Sequence, residues 1–226
     1  MVRKREVMGF MLDVGTMRDS LLVMERYLNE DILNVVQIVN SAFLVLATSD
    51  EAVGDYLRGC DYTVVQDENI LRSVDIAGAA RLDQAACKVF FGEFIKRVYR
   101  MNRSVYLLAE NEKDLTRLKD YLAENCERLK IIGEAVLPET SEEEEQTVND
   151  INFALPDVVI SVVSAQRQAQ FVLAHREKCS AHLFIGAADG VPYGANVNLL
   201  LRLWRKFFGA KLFHRRVQEY NKSRML

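Results

Sequence analysis

The sequence predicts an α/β fold with a mainly parallel sheet and helices on both faces, from three observations. Short β-branched runs recur along the 226 residues, and amphipathic segments at helical spacing separate them. The strongest run, Pro156-Asp157-Val158-Val159-Ile160-Ser161-Val162-Val163, reads as a buried strand and opens into the polar turn Ser164-Ala165-Gln166-Arg167-Gln168 and then a helix. An apolar strand released into polar side chains and a helix amino terminus is where open α/β sheets place their ligands. With half its residues hydrophobic, the chain encloses one sizeable core. One domain over residues 1–198 is therefore expected, with residues 199–226 as an appendage.

In chain order, strands are expected at 34–39, 61–66, 104–109, 129–133, 157–163 and 182–187. The segments Met17–Asn29, Asp50–Arg58, Ala80–Met101, Glu112–Asn125, Ser141–Phe153 and Ala165–Lys178 have apolar residues at helical spacing. In the fourth of these, Leu115, Leu118, Tyr121 and Leu122 form one stripe. Gly133 and Pro138 bracket a loop, and Ser141 with Glu144 reads as a capping box. Five glutamates within residues 139–145 then form the solvated first turn that the helix dipole favours.

The appendage differs in composition. Leu200, Leu203, Trp204, Phe207, Phe208, Leu212 and Phe213 cluster on helical faces, Gly209 breaks the run, and cations fill the spaces. Residues 202–224 contain Arg202, Arg205, Lys206, Lys211, Arg215, Arg216, Lys222 and Arg224 against the single acid Glu219. This is the pattern of a basic, aromatic helix lying on an anionic membrane surface. Helices packing their aromatic side on the core, or on a neighbouring subunit of a homo-oligomer, satisfy the same pattern.

A net charge of −3 argues against wholesale nucleic-acid binding. Cys60, Cys87, Cys126 and Cys179 are far apart and form no C-x-x-C pair, so neither a zinc site nor a disulfide framework is expected, and a reduced cytoplasm is the simplest home. Arg3, Lys4 and Arg5 precede Glu6 and Asp13 without a signal peptide's apolar core. No stretch approaches the roughly 20 apolar residues that span a bilayer, so any membrane contact is expected to be peripheral.

Several segments, in order, resemble the TagA/WecG/CpsF family of bacterial glycosyltransferases. Val7-Met8-Gly9-Phe10 through Asp13, Thr16 and Met17 is similar to its opening strand and first-helix cap. Val36-Gln37-Ile38-Val39-Asn40-Ser41 is similar to its strand ending in Thr-x-Asn, with Asn40 matching and Ile38 in the threonine place. Cys60-Asp61-Tyr62-Thr63-Val64-Val65-Gln66-Asp67 is similar to its Ala-Asp-(apolar run)-Pro-Asp-Gly, with Glu68 replacing the glycine. Ser104-Val105-Tyr106-Leu107-Leu108 resembles the strand before its Gly-Gly turn, although Ala109-Glu110-Asn111 supplies no glycine. Gln168 stands in the register of the glutamine in Gly-Ser-Pro-Lys-Gln-Glu, and Ile185-Gly186-Ala187-Ala188-Asp189-Gly190 resembles a worn Gly-Val-Gly-Gly-x-Phe-Asp. Trp204, Gly209, Arg215 and Gln218-Glu219 fall at the spacing of its carboxyl-terminal appendage.

The resemblance implies a Rossmann-like fold and transfer, with inversion, of an N-acetylhexosamine. The donor would be a UDP-amino sugar, typically UDP-N-acetylmannosamine, and the acceptor a polyprenyl-diphosphate-linked sugar of cell-envelope polysaccharide or teichoic acid synthesis. It implies no cofactor and no metal, in keeping with the lack of Asp-x-Asp, and a cytoplasmic location peripheral to the inner face of the membrane. Asp67 takes the place of the proposed catalytic base. Asn40, Gln168 and Arg215 take substrate-binding places, a guanidinium being suited to contact two phosphate oxygens at once. Three of these have a plainer reading: Asp67 as a strand-end turn or helix cap, Asn40 as an Asx turn that caps a helix, and Gln168 as a solvated helix start. The lost glycines also fit a noncatalytic paralogue that binds a nucleotide-sugar or partner enzyme, and the basic tail fits a membrane-surface adaptor.

Overall fold

The computed structural model describes residues 2–74, 89–188, 191, 213, 215–220 and 222. The beginning of the helix expected over Ala80–Met101, the Asp189-Gly190 turn, Trp204, Gly209, His214 and Arg224 lie outside the described residues.

The chain opens with β1 (Arg3–Val7) and β2 (Phe10–Val14), an antiparallel hairpin folded at Met8 and Gly9, whose φ values are 52° and 84°. Two successive positive φ angles match the twist that two-residue hairpins need, and glycine adopts one of them without steric cost. The hairpin replaces the single opening strand expected from the sequence. Next come α1 (Met17–Tyr27), β3 (Asn34–Val39), α2 (Ser41–Ala47), α3 (Glu51–Gly59), β4 (Tyr62–Val65) and α4 (Glu68–Ser73). After the undescribed stretch follow α5 (Phe90–Arg100), β5 (Ser104–Ala109), α6 (Glu112–Asn125), β6 (Lys130–Val136) and α7 (Ser141–Ala154). Last are β7 (Val158–Val162), α8 (Ala165–His175) with a 3-10 turn over Arg176–Lys178, and β8 (Leu183–Gly186).

Six strands form one parallel sheet in the order β4-β3-β8-β7-β5-β6. This is a Rossmann-like α/β sheet: β3 leads outward to β4 and β5 outward to β6, while β8 and β7 fill the centre between them. Strands β3, β4, β5, β7 and β8 are buried along their whole length and mostly apolar because both faces are covered, whereas the edge strand β6 is partly exposed. On one face Val35, Val39, Val159 and Phe184 pack with α2, α3, α7 and α8; on the other Val36, Ile38, Leu107 and Ile160 pack with α1, α5 and α6. Burial of Leu115, Leu118 and Leu122 fastens α6 to the sheet, at roughly 1.5–3 kcal/mol per side chain.

Both sheet edges are managed. Asp13, buried in β2, accepts from the Thr63 N–H of β4 at 3.1 Å and its own N–H donates to Thr63 Oγ1 at 2.6 Å, so the hairpin covers that edge. At the other edge β6 carries Lys130 and Glu134 and a register shift opposite Val105/Tyr106, features that discourage further strand pairing. The Tyr106 ring lies over Gly133, where a Cβ would come within 2.5 Å of Tyr106 Cε2.

Three boundaries depart from expectation. The helix cap expected at Ser141 is one residue earlier: Thr140 accepts the Glu143 N–H, and its hydroxyl donates to Glu143 Oε2 at 2.8 Å. The strand expected at 129–133 runs to Val136, and the helix expected to Lys178 tightens into a 3-10 turn after His175.

Candidate active site

The carboxyl ends of β3 and β4 meet in a small polar rim. Gln66 N–H donates to Val39 O at 3.0 Å, carrying the pairing one step past the strands. Asn40 then caps α2, its side chain accepting the Phe43 N–H at 2.8 Å. Asp67 caps α4, Oδ1 accepting the Asn69 N–H and the Asn69 side-chain amide, each at 2.9 Å. Its Oδ2 accepts the Ser41 N–H at 3.1 Å and the Ser41 hydroxyl, a short contact. One carboxylate thus joins the end of β4 to the first residue of α2, and its acceptor sites are filled by four donors. Both caps foreseen in the plainer readings are present, and the structure brings Asn40 and Asp67 together through Ser41.

Gln168 is placed differently from the solvated helix start or open substrate contact read from the sequence. Its side chain is 2 % exposed and lies between α8, α3 and the sheet. Nε2 donates to Gln37 Oε1 at 2.7 Å and to the Tyr56 hydroxyl at 2.9 Å. Arg215 is exposed, and its Nε donates to Glu219 Oε1 at 3.0 Å within its own helix. That segment is docked: Phe213 is fully buried in the core shared with α3 and α8, Val217 packs beside it, and the Tyr220 hydroxyl donates to Glu6 at 2.7 Å. The end of the appendage therefore packs on the core and the amino-terminal hairpin.

Between β5 and β7 the rim carries Glu110, paired with Arg167. Ser164 gives α8 no side-chain cap; the Glu110 carboxylate accepts the Ser164 N–H instead, at 2.6 Å, and lies 3.5 Å from Arg167. Asn111 caps α6 through the Asp114 N–H at 3.0 Å. Where a glycine turn would let a phosphate approach, a glutamate already holds the helix amino end.

Two of the described thiols are poor nucleophiles. Burial pushes the Cys60 thiol up to about 12 and the Cys179 thiol up to about 11, so both stay protonated at neutral pH. Among the described residues no group of three His, Cys, Asp or Glu side chains is arranged to hold a metal ion. Nor, among them, is any helix long and apolar enough to cross a membrane. Ser41, Asn69 and Glu110 went unassigned by sequence reasoning, although Ser41 and Glu110 stand directly at strand ends, where side chains reach the rim.

The fold and rim define a Rossmann-like α/β protein whose polar groups converge at the carboxyl ends of parallel strands. The chain belongs to the WecG/TagA/CpsF family of glycosyltransferases, whose sequence profile matches residues 5–226. No curated protein matches it. Nucleotide-sugars and lipid-linked acceptors are the general substrate classes that membership implies.

Proposed function

We propose that the protein transfers an N-acetylhexosamine, N-acetylmannosamine in the first instance, from a UDP donor to a polyprenyl-diphosphate-linked sugar, with inversion and without a metal. The reaction serves cell-envelope polysaccharide or teichoic acid synthesis at the inner face of the membrane. The observation that carries this reading is Asp67, a carboxylate held at the end of β4 by donors from two elements of the rim. In the proposed reaction Asp67 takes the proton of the acceptor hydroxyl, whose oxygen bonds to the anomeric carbon as the bond to UDP breaks. The leaving diphosphate keeps the bonding pair. The Ser41 hydroxyl is the donor best able to yield to an incoming hydroxyl, because it can rotate while the two backbone N–H groups cannot.

Asn40 is assigned to orient a sugar hydroxyl or acetamido group beside Asp67, and Arg215 to meet the diphosphate once it exchanges Glu219 for phosphate oxygens. Arg215, Arg216 and Lys222 are exposed and supply cationic contacts for an anionic membrane, each worth about 1 kcal/mol near such a surface. Replacing all three by glutamate should reduce cosedimentation with phosphatidylserine vesicles; undiminished binding would contradict this membrane role.

The test of activity is UDP release from UDP-N-acetylmannosamine, with and without a short-chain polyprenyl-diphosphoryl-N-acetylglucosamine acceptor, beside calorimetric UDP binding. Acceptor-dependent release supports the transferase. Glu110 at the amino end of α8 and the four donors on Asp67 favour a second reading, a binding-only paralogue, which UDP binding without release under any donor would support.

A further inference from the structure

A closed polar ring lies inside the protein, below the rim. Gln168 Nε2 donates to both Gln37 Oε1 (2.7 Å) and the Tyr56 hydroxyl (2.9 Å), and the Tyr56 hydroxyl donates to Gln37 Oε1 at 2.9 Å. All three residues are buried, at 2, 3 and 1 % exposure. They come from α8, β3 and α3, elements far apart in sequence, and they rest on Gly186 of β8. A Cβ at Gly186 would overlap Gln168 Nε2 and Gln37 Oε1, so the ring occupies the space that this glycine leaves. Desolvation holds the Tyr56 hydroxyl well above its ordinary range, which keeps it a donor.

The ring is coupled to the rim through β3. Registered pairing of β3 with β8 ends at Gln37 and Gly186. At the next residue the Gln37 side chain takes over, Nε2 donating to Ile38 O at 2.7 Å. Two residues on stands Asn40, followed by Ser41, whose N–H and hydroxyl hold Asp67. A shift of Gln37 is therefore a shift of the strand end from which Asp67 is oriented.

We propose that Gln37, Tyr56 and Gln168, seated on Gly186, form a positioning cluster that fixes the end of β3 and, through Ser41, the direction of the Asp67 carboxylate. Gln168 acts from beneath the site and does not touch the donor. This rests on the reading of Asp67 as the base, but its structural half is testable without turnover. The Oε1 of Gln168 is buried and without a partner among the described residues, so the amide is held through its Nε2 alone.

The experiment compares Tyr56→Phe, Gln168→Met and Gln37→Met with the full-length wild type. Three quantities are read: hydrogen exchange of the peptide spanning residues 38–43, kcat and KM for UDP-N-acetylmannosamine, and calorimetric UDP binding. The expectation is faster exchange at residues 38–43 in all three, kcat lower by about tenfold and KM within about twofold, because misplacement of a reacting group by a fraction of an ångström is felt in kcat. A rise in KM and loss of UDP affinity confined to Gln168→Met would overturn the proposal by making Gln168 a direct contact. Folded variants with wild-type exchange at residues 38–43 and wild-type kcat would overturn it by making the ring merely structural. If wild type shows no transfer with any donor, the functional reading fails, while unchanged exchange would still refute the coupling and faster exchange would support it.

Discussion

Gly186→Ala is the sharpest test of the buried ring, because the perturbation is one methyl group and its surroundings are fully defined. The new carbon would overlap Gln168 Nε2 and Gln37 Oε1 and lie 2.9 Å from Gln168 Cδ. The backbone has little room to retreat, since β8 is paired to β3 on one side and to β7 on the other. The amide of Gln168 must therefore withdraw, breaking its bonds to Gln37 and Tyr56. Buried groups left unpaired cost about 1–3 kcal/mol each, and overpacking a tight core costs about 1–3 kcal/mol. The two penalties overlap, because withdrawal relieves the clash while it breaks the bonds. A net destabilisation of about 3 kcal/mol follows, or roughly 6–12 °C in Tm for a chain of this size. Urea unfolding should show a lower midpoint at unchanged slope. Gln168→Ala opens the space the methyl needs, so the double variant should be more stable than the sum of the singles by more than about 1 kcal/mol. A single-variant loss below about 0.5 kcal/mol, or strict additivity, would refute the packing argument.

Asp67→Asn should lower kcat by about 10²-fold or more while UDP affinity by calorimetry stays near wild type; full activity would place the base elsewhere. Phe213→Ala should destabilise by about 3–5 kcal/mol in urea, since Phe213 is fully buried in the main core, and a loss under about 1 kcal/mol would mean that the appendage is not docked. Asp157 sets an acid limb: burial opposes its ionised form, but the Ser104 N–H, the Ser104 hydroxyl and Arg103 outweigh that and hold it below the ordinary carboxylate value. Its contribution is therefore present above the unfolded value of about 3.9 and lost as pH falls through the lower folded value. Asp157→Asn should flatten the decline of urea stability below about pH 4, and an unchanged decline would assign it to other groups.

The parallel sheet was legible because five of its strands are buried on both faces, which makes them mainly apolar runs. The expected bounds of 34–39 and 104–109 coincide with β3 and β5, and 112–125 with α6. Strand β1 gave no such signal: Arg3, Lys4, Arg5 and Glu6 are all exposed, and only Val7 anchors it. Its existence depends on pairing with β2, a tertiary fact that no local propensity carries. The cap of α7 slipped by one residue for a different reason. Thr140 with Glu143 and Ser141 with Glu144 satisfy the same rule equally, and the backbone decides between them.

The helix caps at the strand ends, Asn40 and Asp67, were legible, whereas the burial of Gln168 one layer beneath them was not read. Resemblance in register places a residue along the chain, but helical periodicity decides which way its side chain points. Gln168, Phe171, Val172 and His175 stand at i, i+3, i+4 and i+7, and all four are buried, so the spacing itself puts Gln168 on the core-facing stripe of α8. A polar side chain on such a stripe requires partners of its own kind, because an unpaired buried amide is costly. The sequence holds two candidates under the same logic: Gln37 inside the apolar run of β3, and Tyr56 on the stripe of Val53 and Leu57 in α3. Three polar residues, each out of place on its own element, account for one another once they meet over a glycine. Their meeting converts three local departures from apolar patterning into a single constraint on the strand end that carries Asn40 and, through Ser41, Asp67.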